Sequence, residues 1–163
     1  MSETTIDPAD FRKVLGSYPT GVCVITALDE GKPAGMVVGT FTSVSLDPPL
    51  VGFFPDKSSS SWPLIEKAGH FCVNVMGSDQ QDVCRSVSAK GEAKFVGVEY
   101  ALSDHNLPII ANSIASIECE LYSVTEAGDH WFVLGRVLRM ETVREDDPML
   151  FHLGRYGGFA ERM

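Results

Sequence analysis

Residues 115–140 read ASIECELYSVTEAGDHWFVLGRVLRM, and this stretch decides the fold. Apolar side chains alternate with Glu118 and Glu120 in its first half, which is the two-residue period of a strand with one buried and one solvated face. We therefore expect both carboxylates to be solvated. A Gly-Asp turn signal at 128–129 precedes a second apolar run at 131–140. The pattern predicts two long neighbouring antiparallel strands.

Other parts of the chain carry shorter strand and helix signals. Further strands are predicted at 22–27, 34–44, 50–54 and 71–76, and helices at 7–16, 61–68 and 78–88. Strands do not alternate with long helices, and no Gly-x-Gly-x-x-Gly motif is present, so a Rossmann domain is excluded. The sequence predicts a mainly β fold, an antiparallel barrel with a few peripheral helices.

Length, composition and charge restrict the class of protein. A chain of 163 residues with 44% hydrophobic and 21% charged residues is typical of a single globular domain, here 1–163. The formal charge of −9, without a long Lys/Arg cluster, argues against a nucleic-acid or anionic-membrane binder. The apolar runs are too short to span a membrane and the start lacks signal-peptide features, so we expect a cytoplasmic protein.

The four cysteines, Cys23, Cys72, Cys84 and Cys119, are widely separated along the chain. Neither a CxxC redox pair nor zinc-ligand spacing is available, and we therefore expect no metal site. Free cysteine packs as a small hydrophobic residue, so the sequence predicts buried thiols.

Several motifs occur in a characteristic order. The first is GMVVGTFTSVSLDPPLV at 35–51. It is followed by DKSSS at 56–60, HFCVNV at 70–75, KF at 94–95, GDH at 128–130 and PMLFHLGRY at 148–156. Together they closely resemble the short-chain flavin reductases that act with two-component monooxygenases, and the resemblance covers nearly the whole chain.

This resemblance implies a specific fold and activity. The fold would be an FMN-binding split β-barrel of Greek-key type. The activity would be reduction of FMN or FAD by NADH or NADPH, with hydride passing from nicotinamide C4 to flavin N5 and no catalytic residue required from the chain. A homodimer and a partner flavin-dependent monooxygenase are implied as well.

The resemblance also assigns the flavin contacts. They are Met36, Val37, Gly39, Thr40, Ser43, Phe54, Asp56, Lys57, Ser58, Ser59, Ser60, Ala89 and Lys90. Small residues on a strand let backbone N–H groups approach a flat ring, and an ammonium with hydroxyls suits a phosphate. From the residues alone, Gly39 equally fits a barrel corner, and the serine run is more typical of a solvated loop.

A second set is assigned to the nicotinamide. It comprises His130, Phe151, His152, Gly154 and Tyr156. Aromatic rings there suit stacking, and Gly154 permits close approach. The alternatives are that His130 is a surface residue and that the C-terminal aromatic side chains only close the barrel.

The sequence departs from the family pattern at Gly39-Thr40, Trp62 and Leu153. These departures leave the choice between FMN and FAD, and between NADH and NADPH, open. Two other functions also remain. One is a split-barrel oxidoreductase with a tightly bound flavin or deazaflavin that acts directly on an organic substrate, and the other is a non-enzymatic flavin-binding barrel.

Overall fold

The computed structural model describes residues 3–163, and its fold is mainly β. The α-helices are α1 (Pro8–Leu15), α2 (Trp62–Ala68) and α3 (Gln81–Val87), and a short 3₁₀ helix covers Glu92–Phe95. The strands are β1 (Thr20–Gly21), β2 (Cys23–Asp29), β3 (Lys32–Val38), β4 (Thr42–Ser45), β5 (Leu50–Phe53), β6 (His70–Val75), β7 (Tyr100–Leu102), β8 (Pro108–Ile110), β9 (Ala115–Ala127), β10 (His130–Thr142), β11 (Met149–His152) and β12 (Arg155–Gly158).

A seven-stranded sheet in the order β3-β2-β6-β9-β10-β5-β4 forms the centre of the molecule. Strands β9 and β10, each of 13 residues, form the long hairpin predicted from 115–140. A three-stranded sheet, β1-β11-β12, and the β7-β8 pair complete the fold, and all these pairings are antiparallel. The mainly β, antiparallel prediction is confirmed, whereas closure into a split barrel stays a prediction.

Helix α1 begins and ends as the sequence predicts. Asp7 is its N-cap, and its Oδ1 accepts the backbone N–H of Ala9 at 2.7 Å. For helix α2 the sequence allows a cap from Ser61 or a neighbour, and Ser61 makes no capping hydrogen bond. The hydroxyl of Ser59 instead accepts the backbone N–H of Trp62 at 3.2 Å, so a neighbouring residue caps the helix.

The predicted strand at 34–44 is in fact two strands. Its first part, β3, pairs with β2, and its second part, β4, pairs with β5 at the opposite edge of the sheet. The chain crosses between the edges at 39–41, where Thr40 Oγ1 accepts the backbone N–H of Phe54 at 3.0 Å. Local sequence could not reveal this break, since both halves have strand composition.

The expectation that Glu118 is solvated was wrong. Glu118 is only 3% exposed, and its Oε1 lies 3.2 Å from His105 Nδ1. Strand β8 covers this face of the sheet, with Pro108 O accepting the Thr26 hydroxyl at 2.6 Å and Asn74 Oδ1 accepting the Ile110 N–H at 2.9 Å. Alternation separates the two faces of a strand but does not reveal whether another element covers the polar one.

Apolar clusters lie on both faces of the sheet. The first cluster, packed against α2, includes Ile25, Phe53, Ile65 and Phe71. The second lies beneath α3 and the β7-β8 pair and includes Val24, Met76, Cys84, Val87 and Ile110. Because apolar clusters cover both faces of the sheet, β2 is buried along most of its length.

All four cysteine thiols are buried and free, as predicted. Burial raises the pKa of Cys23, Cys72 and Cys119 to about 12 and that of Cys84 to about 11. Thiols with such pKa values are protonated at neutral pH, so they act as packing groups.

Within residues 3–163, none of the helices is both long and apolar enough to cross a membrane. Over the same residues, no group of three or more His, Cys, Asp or Glu side chains is arranged to hold a metal ion.

Gly135 of β10 lies at a register shift, where a β-carbon would collide with the Phe71 ring and lie 3.0 Å from the β-carbon of Cys119. We expect Gly135→Ala to lower the free energy of unfolding by about 1–3 kcal/mol because the core would be overpacked. Urea denaturation followed by circular dichroism would measure this change. The matched control is Gly157→Ala, which meets no atom within 4 Å. Equal unfolding midpoints for the two variants would contradict the prediction.

Candidate functional site

Two cavities lie along β3. The first, of about 520 Å³, is lined at one end of the strand by Gly35, Ser60, Ser61 and Lys94, among others. The second, of about 240 Å³, is lined at the other end by Val22, Val37, Val38, Gly39, Ser88, Phe151 and Tyr156. Segment 88–95 contributes to both cavities, so β3 and this segment form one candidate site, the β3 site.

Lys94 is the main polar group of the first cavity. Its Nζ donates to Ser61 Oγ at 2.7 Å and to the backbone oxygen of Gly35 at 3.2 Å. Partial burial lowers the pKa of this ammonium. An ammonium has three donors, so Lys94 keeps one for a ligand.

The charges around Lys94 favour an anion. Among residues 3–163, no carboxylate lies within ion-pair distance of its ammonium. Asp29 and Glu92 line the same cavity, but Asp29 is engaged by Lys67 at 3.3 Å. A half-buried cation beside hydroxyl groups and without its own carboxylate is suited to a phosphate.

Close packing between Gly35 and Phe95 holds Lys94 in place. A β-carbon on Gly35 would lie 2.7 Å from Cζ of the Phe95 ring, so the ring lies directly against the β3 backbone. The 3₁₀ helix that carries Lys94 and Phe95 thereby docks on β3, and Lys94 reaches the cavity.

The serine-rich loop at 56–60 is ordered by its own hydrogen bonds. Asp56 Oδ1 accepts both the backbone N–H and the hydroxyl of Ser58 at 2.7 Å, and these two bonds lower the pKa of the Asp56 carboxyl. Ser59 caps α2, whereas Ser60 lines the first cavity. Of Ser58, Ser59 and Ser60, only Ser60 lines the first cavity.

Lys57 lies against the β9-β10 turn. Its Nζ is 3.0 Å from Glu126 Oε1 and 4.7 Å from the centre of the Trp131 ring. The ammonium therefore already has a carboxylate and an aromatic ring as partners. Its predicted phosphate contact stays a prediction, and Lys94 is a better placed cation for that role.

His130 begins β10 and is tied to the loop at 56–58. It forms a β-bridge with Asp56, and the backbone N–H of Lys57 donates to Asp129 O at 3.0 Å. His130 Nδ1 lies 2.7 Å from Asp129 Oδ1, which orients the ring. Phe54 lies on the same side of this loop, stacked on Phe132 with the ring centres 4.7 Å apart.

The C-terminal hairpin of β11 and β12 borders the second cavity. Thr20 of β1 pairs with Phe151, and the Phe151 and Tyr156 rings meet edge to face at 5.3 Å. Leu153 and Gly154 form the turn with φ values of 51° and 75°, in the left-handed region that Gly154 adopts without strain. His152 is exposed beside this turn.

Thr20 places an unused polar group behind Gly39, a residue that lines the second cavity. Among the described residues its buried Oγ1 has no hydrogen-bond partner, and a β-carbon at Gly39 would lie 2.8 Å from this oxygen. Gly39 thus lies against both the cavity and Thr20. A side chain at position 39 would crowd the Thr20 hydroxyl.

The predicted site residues fall into three groups. Val37, Gly39, Ser60, Phe151 and Tyr156 line the β3 site. Phe54, Asp56 and Lys57 lie with His130 beside the β9-β10 turn, and Ser58 and Ser59 bond locally. The remainder do not line either cavity: Met36, Thr40, Ser43, Ala89, Lys90, His152 and Gly154.

Sequence reasoning missed Lys94, Ser61 and Thr20 as site residues. Lys94 and Phe95 do stand in the motif pattern, but a lysine in a loop is usually solvated, and nothing local indicated its burial. Ser61 begins the predicted helix at 61–68, and the unpaired hydroxyl of Thr20 depends on packing between distant segments.

The fold and the β3 site together define a mainly antiparallel β protein with one cavity that contains the ammonium of Lys94 and a second cavity lined by Phe151 and Tyr156. The model of the family described as "Flavin reductase like domain" matches residues 15–160. The chain belongs to this family.

Individual relatives agree with that assignment. A flavin reductase of Pseudomonas putida is 56% identical over 158 residues, with 96% of this chain and 93% of the relative covered. The reductase subunit of a flavin-dependent monooxygenase from Rhodococcus jostii is 45% identical, with 97% and 81% covered. A Streptomyces globisporus NADH:FAD oxidoreductase, solved with NAD and FAD fragments, is 34% identical with a TM-score of 0.88, and 96% and 97% of the two chains are covered.

Proposed function

We propose that the chain is an NAD(P)H:flavin oxidoreductase that reduces FMN or FAD and supplies the reduced flavin to a partner flavin-dependent monooxygenase. The observation that carries the proposal is the β3 site, in which Lys94 has no carboxylate partner among residues 3–163, and Gly39, Phe151 and Tyr156 line one cavity. Relatives with reductase activity in their names support it.

The residues of the β3 site fit a flavin. The first cavity would hold the phosphate through Lys94, Ser60 and Ser61, and the second would hold the ring edge beside Gly39. The free hydroxyl of Thr20 is a polar group at that end. Met36, Val37, Thr40, Ser43, Ala89 and Lys90 remain predicted flavin contacts.

The nicotinamide would meet the flavin near the C-terminal hairpin. A nicotinamide cofactor supplies hydride, and the flavin accepts it at N5. The chain contributes stacking surfaces at Phe151 and Tyr156, a hydrogen-bonding side chain at His130, and exclusion of water. No acid or base from the chain is needed for hydride transfer.

The predicted nicotinamide residues belong to two groups of contacts, because His130 is tied to Asp56 whereas Phe151 pairs with Thr20. A homodimer would let two copies contribute different groups to one ligand, and we keep it as part of the proposal. The split-barrel closure, the single domain and the cytoplasmic location belong to the proposal too.

Oxidation of NADH and NADPH by the purified chain, with FMN, FAD or riboflavin added in turn, tests this function. Turnover that depends on added flavin would support the reductase and identify both preferences. Flavin binding without turnover would indicate a non-enzymatic barrel. Turnover of an organic substrate by flavin that stays bound would indicate the tight-flavin alternative.

Replacing Lys94 tests the phosphate position. We expect Lys94→Ala to weaken FMN binding by about 1.5–3 kcal/mol, because a charged hydrogen bond to the phosphate is lost. Riboflavin, which has no phosphate, should bind this variant and the unmodified protein alike. Fluorescence titration would measure both affinities.

The control for this experiment is Lys13→Ala, which removes an exposed lysine of helix α1. The pH dependence gives an independent check. Burial lowers the pKa of Lys94, so its charge, and with it part of the FMN affinity, is present below that pKa and lost as pH rises through it. An equal loss of riboflavin affinity, or no loss for FMN, would remove Lys94 from the phosphate site.

Replacing His130 tests the nicotinamide position. We expect His130→Ala to raise the KM for NADH roughly fivefold with little change in kcat, the equivalent of about 1 kcal/mol for one net hydrogen bond. Steady-state kinetics at saturating flavin would measure this effect. His70→Ala, which replaces an exposed histidine of β6, is the matched control. An unchanged KM for His130→Ala would exclude His130 from the nicotinamide contacts.

A further inference from the structure

Arg144 makes an unusually complete set of contacts in the segment that joins β10 to β11. Its Nη2 and Nη1 atoms lie 2.6 Å and 3.2 Å from the two oxygens of Asp79, and Nη1 also lies 2.7 Å from Asp146 Oδ2. Its Nε donates to the backbone oxygen of Asn112 at 2.7 Å. The guanidinium therefore links its own segment to two segments distant in sequence.

This arrangement differs from the other ion pairs of the described chain. The Arg144 side chain is 23% exposed. Its Nη1 and Nη2 atoms donate two hydrogen bonds to the two carboxylate oxygens of Asp79. The Arg139 side chain, by comparison, is 51% exposed, and its contacts with Asp104 and Glu141 are 3.9 Å and 3.8 Å long. The Asp79 side chain is 62% exposed, so it is the bidentate geometry that makes this arginine–carboxylate pair specific in direction.

Gly77, two residues before Asp79, leaves space for the Arg144 guanidinium. A β-carbon at Gly77 would collide with Arg144 Nη2, so the missing side chain of Gly77 provides the space that Arg144 occupies. Any larger residue at this position would displace the guanidinium from Asp79.

The same stretch of backbone receives the start of the C-terminal hairpin. The backbone N–H of Ser78 donates to Asp147 O at 2.8 Å, and the N–H of Met149 donates to Met76 O at 2.9 Å. Gly77 and Pro148 form a β-bridge between these two bonds. The chain that Arg144 anchors thus continues directly into β11.

Strand β11 carries the hairpin to the β3 site. Phe151 lies two residues beyond Met149, and Phe151 and Tyr156 line the second cavity together with Gly39. A change at Arg144 would alter where these two rings lie, although Arg144 itself lines neither cavity.

We infer that Arg144 is a positioning residue, which holds the C-terminal hairpin against the second cavity through Asp79 and thereby sets the affinity for the nicotinamide. This inference rests on the proposed reductase function. Arg144 contacts neither the flavin nor the nicotinamide. It acts on the positions of Phe151 and Tyr156 through the backbone of residues 147–149.

The test compares Arg144→Lys and Asp79→Asn with the unmodified protein. Lysine keeps the charge but lacks the bidentate fork, and asparagine keeps the shape but lacks the charge. Each variant should raise the KM for NADH about tenfold at saturating flavin while kcat changes little, because the rings are displaced rather than removed. The double variant should be no worse than the more affected single variant, since both changes break one interaction.

Hydrogen exchange supplies a readout that does not need activity. Amide exchange in β11 and β12 should become faster in Arg144→Lys, whereas exchange in β9 and β10 should stay the same. Arg139→Ala is the control for loss of an exposed arginine and should change neither exchange in β11 and β12 nor the KM. The melting temperature of each variant shows whether the whole fold has been weakened.

The outcomes separate the two proposals. A raised KM together with faster hairpin exchange supports the positioning role. Unchanged hairpin exchange in Arg144→Lys, or faster exchange with an unchanged KM, overturns it, as does a lower melting temperature that accounts for the entire effect. Failure of the proposed function is a different result, because the unmodified protein would then lack flavin-dependent oxidation of NADH.

Discussion

The antiparallel pairing of β9 with β10 is the interaction on which the rest of the structure depends. The two strands form the centre of the seven-stranded sheet, and each continues the ladder outward, to β6 on one side and to β5 on the other. Strand β6 holds β2 and hence β3, whereas β5 leads into the loop at 56–60. One hairpin therefore places both β3 and the loop that carries Ser60.

The β3 site offers a positive charge and a position where a ligand can approach the backbone closely. Lys94 supplies a cation without a carboxylate partner among the described residues, and Gly39 supplies space beside an unused hydroxyl. A free ammonium and space for close approach are both binding features. This division agrees with a protein whose ligands carry the redox reactivity and whose own role is binding and orientation.

Much of the fold was predictable from local patterns, because a strand or helix with strong periodicity is specified by nearby residues. The long hairpin and α1 were predicted with nearly correct bounds. Long-range packing overturned the other expectations: Glu118 is buried beside His105, and the apparent strand at 34–44 crosses between sheet edges. Neither outcome has a signature within a few residues.

The sequence by itself determined the class of fold, the buried thiols and the family, since periodicity, cysteine spacing and ordered motifs are properties of the chain. Only the tertiary structure decided which of Lys57 and Lys94 has a carboxylate partner among residues 3–163. Lys57 meets Glu126, whereas Lys94 is held by Ser61 and Gly35. The availability of a charge depends on partners that are distant in sequence, and folding alone brings those partners together.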